Sequence, residues 1–155
     1  MLDDFLEANG LKAELLVPKR PLRTAHDIPR SLGVEAANVA QCVLALVGTA
    51  KRAEHNEAIL IVLPLAKKFG EEELHELLGA SIGVRFATEH ETEDLTGYPA
   101  EFVPVVSVYG VRTLIDAELM KKEFIYCAGG EAEHVLKITP AELKENTEGI
   151  EEIDA

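Results

Sequence analysis

The chain has no apolar run long enough to cross a bilayer. Its longest, such as Ala58 to Ala66, fall far short of the ~20 residues that a spanning helix needs. The opening "MLDDFLEANG" is acidic and lacks a basic start, so no signal peptide is expected. Cysteine is scarce. Cys42 and Cys127 each sit inside an apolar stretch, which predicts buried thiols in a reducing compartment rather than a disulfide. Neither G-x-x-x-x-G-K nor G-x-G-x-x-G occurs, so the glycine-rich loops that cradle phosphates are missing. The five histidines, His26, His55, His75, His90 and His134, are scattered without zinc spacing. No metal and no cofactor is expected. There is no internal repeat and no low-complexity segment.

What is present is a chain of 155 residues, 47% hydrophobic, with a mean hydropathy of +0.05. That suits one folded domain with a real core. The formal net charge is −13, unevenly placed: residues 1–70 hold 9 Lys+Arg against 8 Asp+Glu, and residues 71–155 hold 6 against 20. Such acidity opposes unspecific attraction to nucleic acid, and neither DNA nor a membrane is an expected partner. A basic patch remains in the first half: "PKRPLR" (Pro18 to Arg23), with Arg30, Lys51, Arg52, Lys67 and Lys68. Any RNA contact should therefore use Lys19, Arg20, Arg23, Lys51 or Arg52. The carboxylates of "EEELHE" and "EHETED" read as solvated helix faces.

Local patterns predict the elements. Leu2, Phe5 and Leu6 share one face of a helix over 2–9, ended by Gly10. Residues 12–17 read as a strand. Thr24 caps a helix from Ala25 that Gly33 closes, with Pro29 in its first turns. "NVAQCVLALVG" and "AILIVLPLA", either side of the polar "KRAEHNE", read as a hairpin buried at the centre of a sheet. "GEEELHELLG" is a helix with Leu74, Leu77 and Leu78 inward. "GVRFA" is a short strand. Thr88 and Glu91 have capping-box spacing for a helix from Glu89 to about Leu95. "EFIYCAG" and "AEHVLKI" are two more strands. Thr139, Pro140 and Glu142 form a second capping box, and the acidic tail "TEGIEEIDA" is expected to fray. The expected fold is α+β: a mixed, curved, barrel-like sheet of about six or seven strands with about five helices.

One stretch resists this grammar. In "LTGYPAEFVPVVSVYG" a proline, Pro104, interrupts an apolar run. Its fixed φ and missing N–H stop a strand from pairing there.

The order of several blocks resembles the YbaK/EbsC-type family, the free-standing editing domains that hydrolyse mischarged aminoacyl-tRNA, also found inserted in bacterial prolyl-tRNA synthetases. "TAHDIPRSLGV" is similar to the family's T-A-x-x-A-A-x-x-L-G-V, and "NVAQCVLALV" to I-V-K-T-L-V-F. "AILIVLPL" resembles the strand that follows. "ELHELLGASIGVRFATEHETEDLTGY" resembles L-x-x-L-L-G-A-x-x-V-R-x-A-x-x-E-E-x-x-x-L-T-G-Y, and "AGGEAEHVLKITPAEL" the late G-x-G-x-x-x-H-x-I-x-L-S-P-x-x-L. The resemblance implies a single editing domain over 1–155, acting in the cytoplasm. Its implied partners are the aminoacyl-tRNA 3′ end and a prolyl-tRNA or other synthetase. It places catalysis at Gln41 and His134, and substrate binding at Thr24, Glu101, Val103, Pro104, Gly129 and Gly130. The chain departs from the pattern at two of these. The lysine of I-V-K falls on Gln41, and the glycine of G-x-V-P-P on Glu101. Two functions therefore compete: an editing domain that hydrolyses mischarged aminoacyl-tRNA in trans, and a catalytically degenerate binding or regulatory module that keeps the fold.

Overall fold

The two long apolar runs pair with each other. A computed structural model describes residues 2–48, 55–79 and 83–155. Along the chain lie α1 (Leu2–Ala8), β1 (Glu14–Leu16), a 3-10 turn (Ala25–Asp27) running into α2 (Ile28–Leu32), a second 3-10 turn (Ala36–Asn38), β2 (Ala40–Gly48) and β3 (His55–Pro64). There follow α3 (Glu71–Leu78), β4 (Arg85–Phe86), α4 (Glu89–Thr96), a third 3-10 turn (Ala100–Phe102), β5 (Arg112–Asp116) and α5 (Ala117–Met120). The chain ends with β6 (Ile125–Ala128), β7 (Val135–Ile138), α6 (Pro140–Glu145) and β8 (Glu151–Ile153).

β2 and β3 are antiparallel, with Val43 opposite Ile61 and Gln41 opposite Leu63. They form the middle of a five-stranded sheet ordered β4-β2-β3-β5-β8, in which β3, β5 and β8 run parallel. A second, antiparallel sheet is ordered β1-β7-β6. β3 is buried on both faces, as a continuous apolar run demands. Leu60 and Val62 face a core shared with Leu44, Ile115, Ile125 and Leu136, between the sheets. Ile59, Ile61 and Leu63 face Leu74 of α3 and Leu114 of β5. A third cluster of Leu22, Ile28, Val39, Leu65 and Val135 seats the 3-10 turn and α2 on the body. Ile61 is fully buried, so Ile61→Val should lower stability by about 0.5–1.5 kcal/mol. A denaturant midpoint that does not move, with an unchanged slope, would contradict this packing.

The α+β class stands, and several details change. The described strands number eight and the α-helices six. They build two sheets, and among the described residues no closed barrel forms. β5 and α5 were not expected. The tail does not fray: Glu151–Ile153 adds to the parallel edge of β5. "KRAEHNE" is not all turn, because β3 already begins at His55; its first residues lie outside the described ones. The box at Thr139 is half formed. Thr139 accepts from Glu142 N at 3.2 Å, but the Glu142 carboxylate accepts from Lys12 N at 2.7 Å instead of reaching back. The box at Thr88 is complete, with both bonds to Glu91 in place. Arg85 also forks onto the Glu91 carboxylate and, chiefly for that reason, holds its pKa down to about 2.

Candidate functional site

Four of the sequence-predicted residues meet in one cleft. Thr24, Gln41, Glu101 and Val103 line a hollow of about 180 Å³, with His26 and Cys42 beside them. Each arrives for a local reason. Thr24 is the extended N-cap of the first 3-10 turn, and its Oγ1 accepts from His26 N at 3.1 Å. Asp27 folds the same turn back by accepting from Arg23 N at 2.8 Å. That bond is the main reason its carboxyl stays below the usual range. Ile28, completely buried, anchors the turn from below.

Gln41 comes from β2, but its amide nitrogen is already engaged. Nε2 donates to the carbonyls of Pro64, Leu65 and Lys67 at 3.2, 3.3 and 3.0 Å. It staples the chain leaving β3, and only Oε1 is left as an acceptor. Glu101 is exposed, on the third 3-10 turn. Burial, and secondarily Cys127, pushes the Cys42 thiol well above its ordinary pKa, so it is a neutral wall group and not a thiolate nucleophile. Both cysteines are free.

The other predicted residues lie elsewhere. Gly129, Gly130 and His134 line a separate hollow of about 290 Å³ with Tyr98 and Glu131. His134 Nδ1 pairs with Glu131 Oε1 at 2.5 Å. Gly130 N donates to Phe102 O at 3.0 Å, which ties the turn after β6 to the turn carrying Glu101. Pro104 lines neither hollow; it is buried within the irregular stretch 103–107. That stretch is pinned by Tyr98, whose hydroxyl donates to Ser107 Oγ at 2.9 Å. Burial raises the phenol's pKa, so it stays a donor. Thr96 sets the Tyr98 position by accepting from Tyr98 N at 3.1 Å while its hydroxyl donates to Thr92 O at 2.7 Å.

The basic patch is also built. Lys19, Arg20, Arg23 and Arg30 line a cleft of about 750 Å³ with Asp27 and Ser31. Ser31 Oγ accepts from Lys19 N at 3.0 Å and so holds the loop against α2. Arg23, 90% exposed, lies 3.6 Å from Asp27. The 3-10 turn therefore fronts both places: Thr24 and His26 look into the small cleft, Arg23 and Asp27 into the basic one. Lys51 and Arg52 fall outside the described residues.

Sequence reasoning missed three features. His26 sits at an unspecified position of T-A-x-x and so carried no signal, yet it lines the small cleft. Ser107 has a left-handed backbone, φ 68°, a conformation that residues other than glycine seldom adopt. The stretch Gly79-Ala80-Ser81-Ile82-Gly83 matches G-x-S-x-G. Its central residues lie outside the described ones, but it links helix α3 to strand β4. That is the reverse of the strand-to-helix order that exposes a nucleophile on such an elbow. Among the described residues no group of His, Cys, Asp and Glu could hold a metal ion, and no helix is long and apolar enough to cross a membrane.

Comparison with known proteins agrees with this architecture. A family model described as the aminoacyl-tRNA editing domain matches residues 19–145. The crystal structure of the hypothetical protein APE2540 is 27% identical, with a TM-score of 0.80 over 97% of this chain and 96% of that one. A proposed trans-editing enzyme for prolyl tRNA synthetase is 24% identical, with a TM-score of 0.76 over 99% of this chain and 92% of its own; that likeness is one of fold. No curated protein matches the chain.

Proposed function

The chain belongs to the aminoacyl-tRNA editing domain family, and on that premise we propose that it hydrolyses mischarged aminoacyl-tRNA in trans as a single domain. The small cleft takes the aminoacyl group and the basic cleft the phosphates of the acceptor end. The observation that carries this reading is the convergence of Thr24, Gln41, Glu101 and Val103, from three separate stretches of chain, beside a cleft with four cations. At about 180 Å³, the small cleft is below the ~300–1,000 Å³ of pockets that enclose drug-sized ligands. It suits an aminoacyl group and not the adenosine that bears it, so selection among amino acids would be by size.

The chemistry asked of the protein is mainly positioning. A water attacks the ester carbonyl carbon, the acyl C–O bond breaks, and the ribose oxygen leaves with a proton. Holding ester, water and the neighbouring ribose hydroxyl together can remove several kcal/mol of the barrier without a protein nucleophile. The wall group whose ring nitrogens can both accept and donate a proton is His26, and that ring has no partner among the described residues. His134, which lines the other hollow, is proposed as a structural partner of Glu131 and not as a catalytic group.

The test is a deacylation assay of the full chain against a panel of mischarged tRNAs. Release of the amino acid well above the buffer rate, for at least one small amino acid, is expected. No release from any member would overturn the hydrolytic reading and leave a binding module.

A further inference from the structure

Apart from the His26 ring and the Thr24 hydroxyl hydrogen, the polar side chains of the small cleft offer acceptors. Thr24 Oγ1 is engaged by His26 N. The Gln41 amide donors are spent on three carbonyls, leaving Oε1. Cys42 is a neutral thiol. Among the described residues no lysine or arginine lines the cleft. Lys67, whose carbonyl holds Gln41, turns its Nζ to Asp116 at 3.8 Å. Among the described residues Glu101 is thus the one formal charge on the wall, exposed and with no partner.

Such a site is ill suited to phosphate and well suited to a primary ammonium, which offers three donors and no acceptor. We propose that Glu101, with Gln41 Oε1, recognises the free α-ammonium of an α-aminoacyl ester. This rests on the editing reading of the same cleft. It explains both departures from the family pattern at once: the cation is lost at Gln41 and an anion gained at Glu101 because the recognised group is the positive end of the substrate. It also separates substrate from product. The ester carries a positive charge alone, whereas the released amino acid is a zwitterion whose carboxylate is repelled by Glu101. An N-acylated or peptidyl ester has no ammonium to offer and is refused.

The experiment titrates the isotope-labelled full chain with alaninamide, N-acetylalaninamide and alanine, followed by amide NMR. Alaninamide is a cation without a carboxylate. It should shift Thr24, Gln41 and Glu101–Val103, and bind about fivefold more tightly than the other two, the upper end for an exposed ion pair. Glu101→Gln should erase that preference, and Glu101→Asp should restore part of it. Equal binding of all three, no shifts at the cleft, or a preference that survives Glu101→Gln would overturn the proposal. A parallel deacylation assay compares aminoacyl-tRNA with its N-acetylated form. Ammonium selectivity without deacylation removes the editing reading and keeps the site; deacylation that ignores N-acetylation keeps the editing reading and removes the site.

Discussion

Replacing Lys19, Arg20, Arg23 and Arg30 together by glutamine should cost on the order of 10³-fold in tRNA affinity at 0.1 M salt, and should flatten its salt dependence. The four side chains share one cleft, and the second half of the chain carries 20 acidic residues against 6 basic ones. Phosphates therefore have few other places to go. Each phosphate neutralised by a cation releases a counterion and adds ~0.7–0.9 to the slope of log affinity against log salt. Four contacts give a slope change of about 3–4. Arg23 contributes least, since Asp27 at 3.6 Å already offsets part of its charge. Filter binding or fluorescence anisotropy between 0.05 and 0.5 M salt reads both effects. Unchanged affinity and slope in the fourfold variant would place the RNA on another face and separate the basic cleft from the small one.

The parts of the fold that could be read locally were read from strong signals. β2 and β3 are long, apolar and separated by polar residues, and the Thr88–Glu91 box needs only its own four residues. What escaped reading depends on neighbours. β5 is five residues with Arg112 and Asp116 at its ends; Arg112 lies 3.5 Å from both Glu57 and Glu151, partners brought together only by the sheet. β8 is an edge strand whose outer residues stay exposed, so its acidity looks like a solvated tail although its backbone is paired.

The site follows the same rule. Thr24, Gln41 and Glu101 stand out by their places in the order of sequence blocks, and they share a cleft. Gly129, Gly130 and His134 come from an equally recognisable block but line a separate hollow, on a turn that the bond from Gly130 N to Phe102 O ties to the turn of Glu101. No local pattern encodes that bond. Nor does any pattern say that the Gln41 amide is spent on the carbonyls of 64, 65 and 67, which turns a position chemically similar to a lysine into a structural staple.

The turn at Gly130 gives the second large effect. Gly130→Ala should destabilise the protein by about 2–5 kcal/mol, combining overpacking of ~1–3 kcal/mol with ~1–2 kcal/mol for a side chain in the left-handed region. Gly130 has φ +90°, and a methyl group there would lie 2.9 Å from Tyr98 Cε1 and 3.1 Å from Cδ1. The ring has little freedom to retreat. Tyr98 is 3% exposed, its hydroxyl is held by Ser107 and its N–H by Thr96. Displacing it would pull on Ser107, release the buried stretch 103–107 and shift Val103 in the cleft. Deacylation should therefore fall along with the melting temperature. Gly149→Ala is the control. Its φ is +67° with nothing within 4 Å of the added methyl, so it carries the backbone cost alone, about 1–2 kcal/mol, and leaves deacylation intact. Equal losses in the two variants would mean that the Tyr98 ring yields freely. The Thr-Gly-Tyr turn would then not be what holds Pro104 and its neighbours in place.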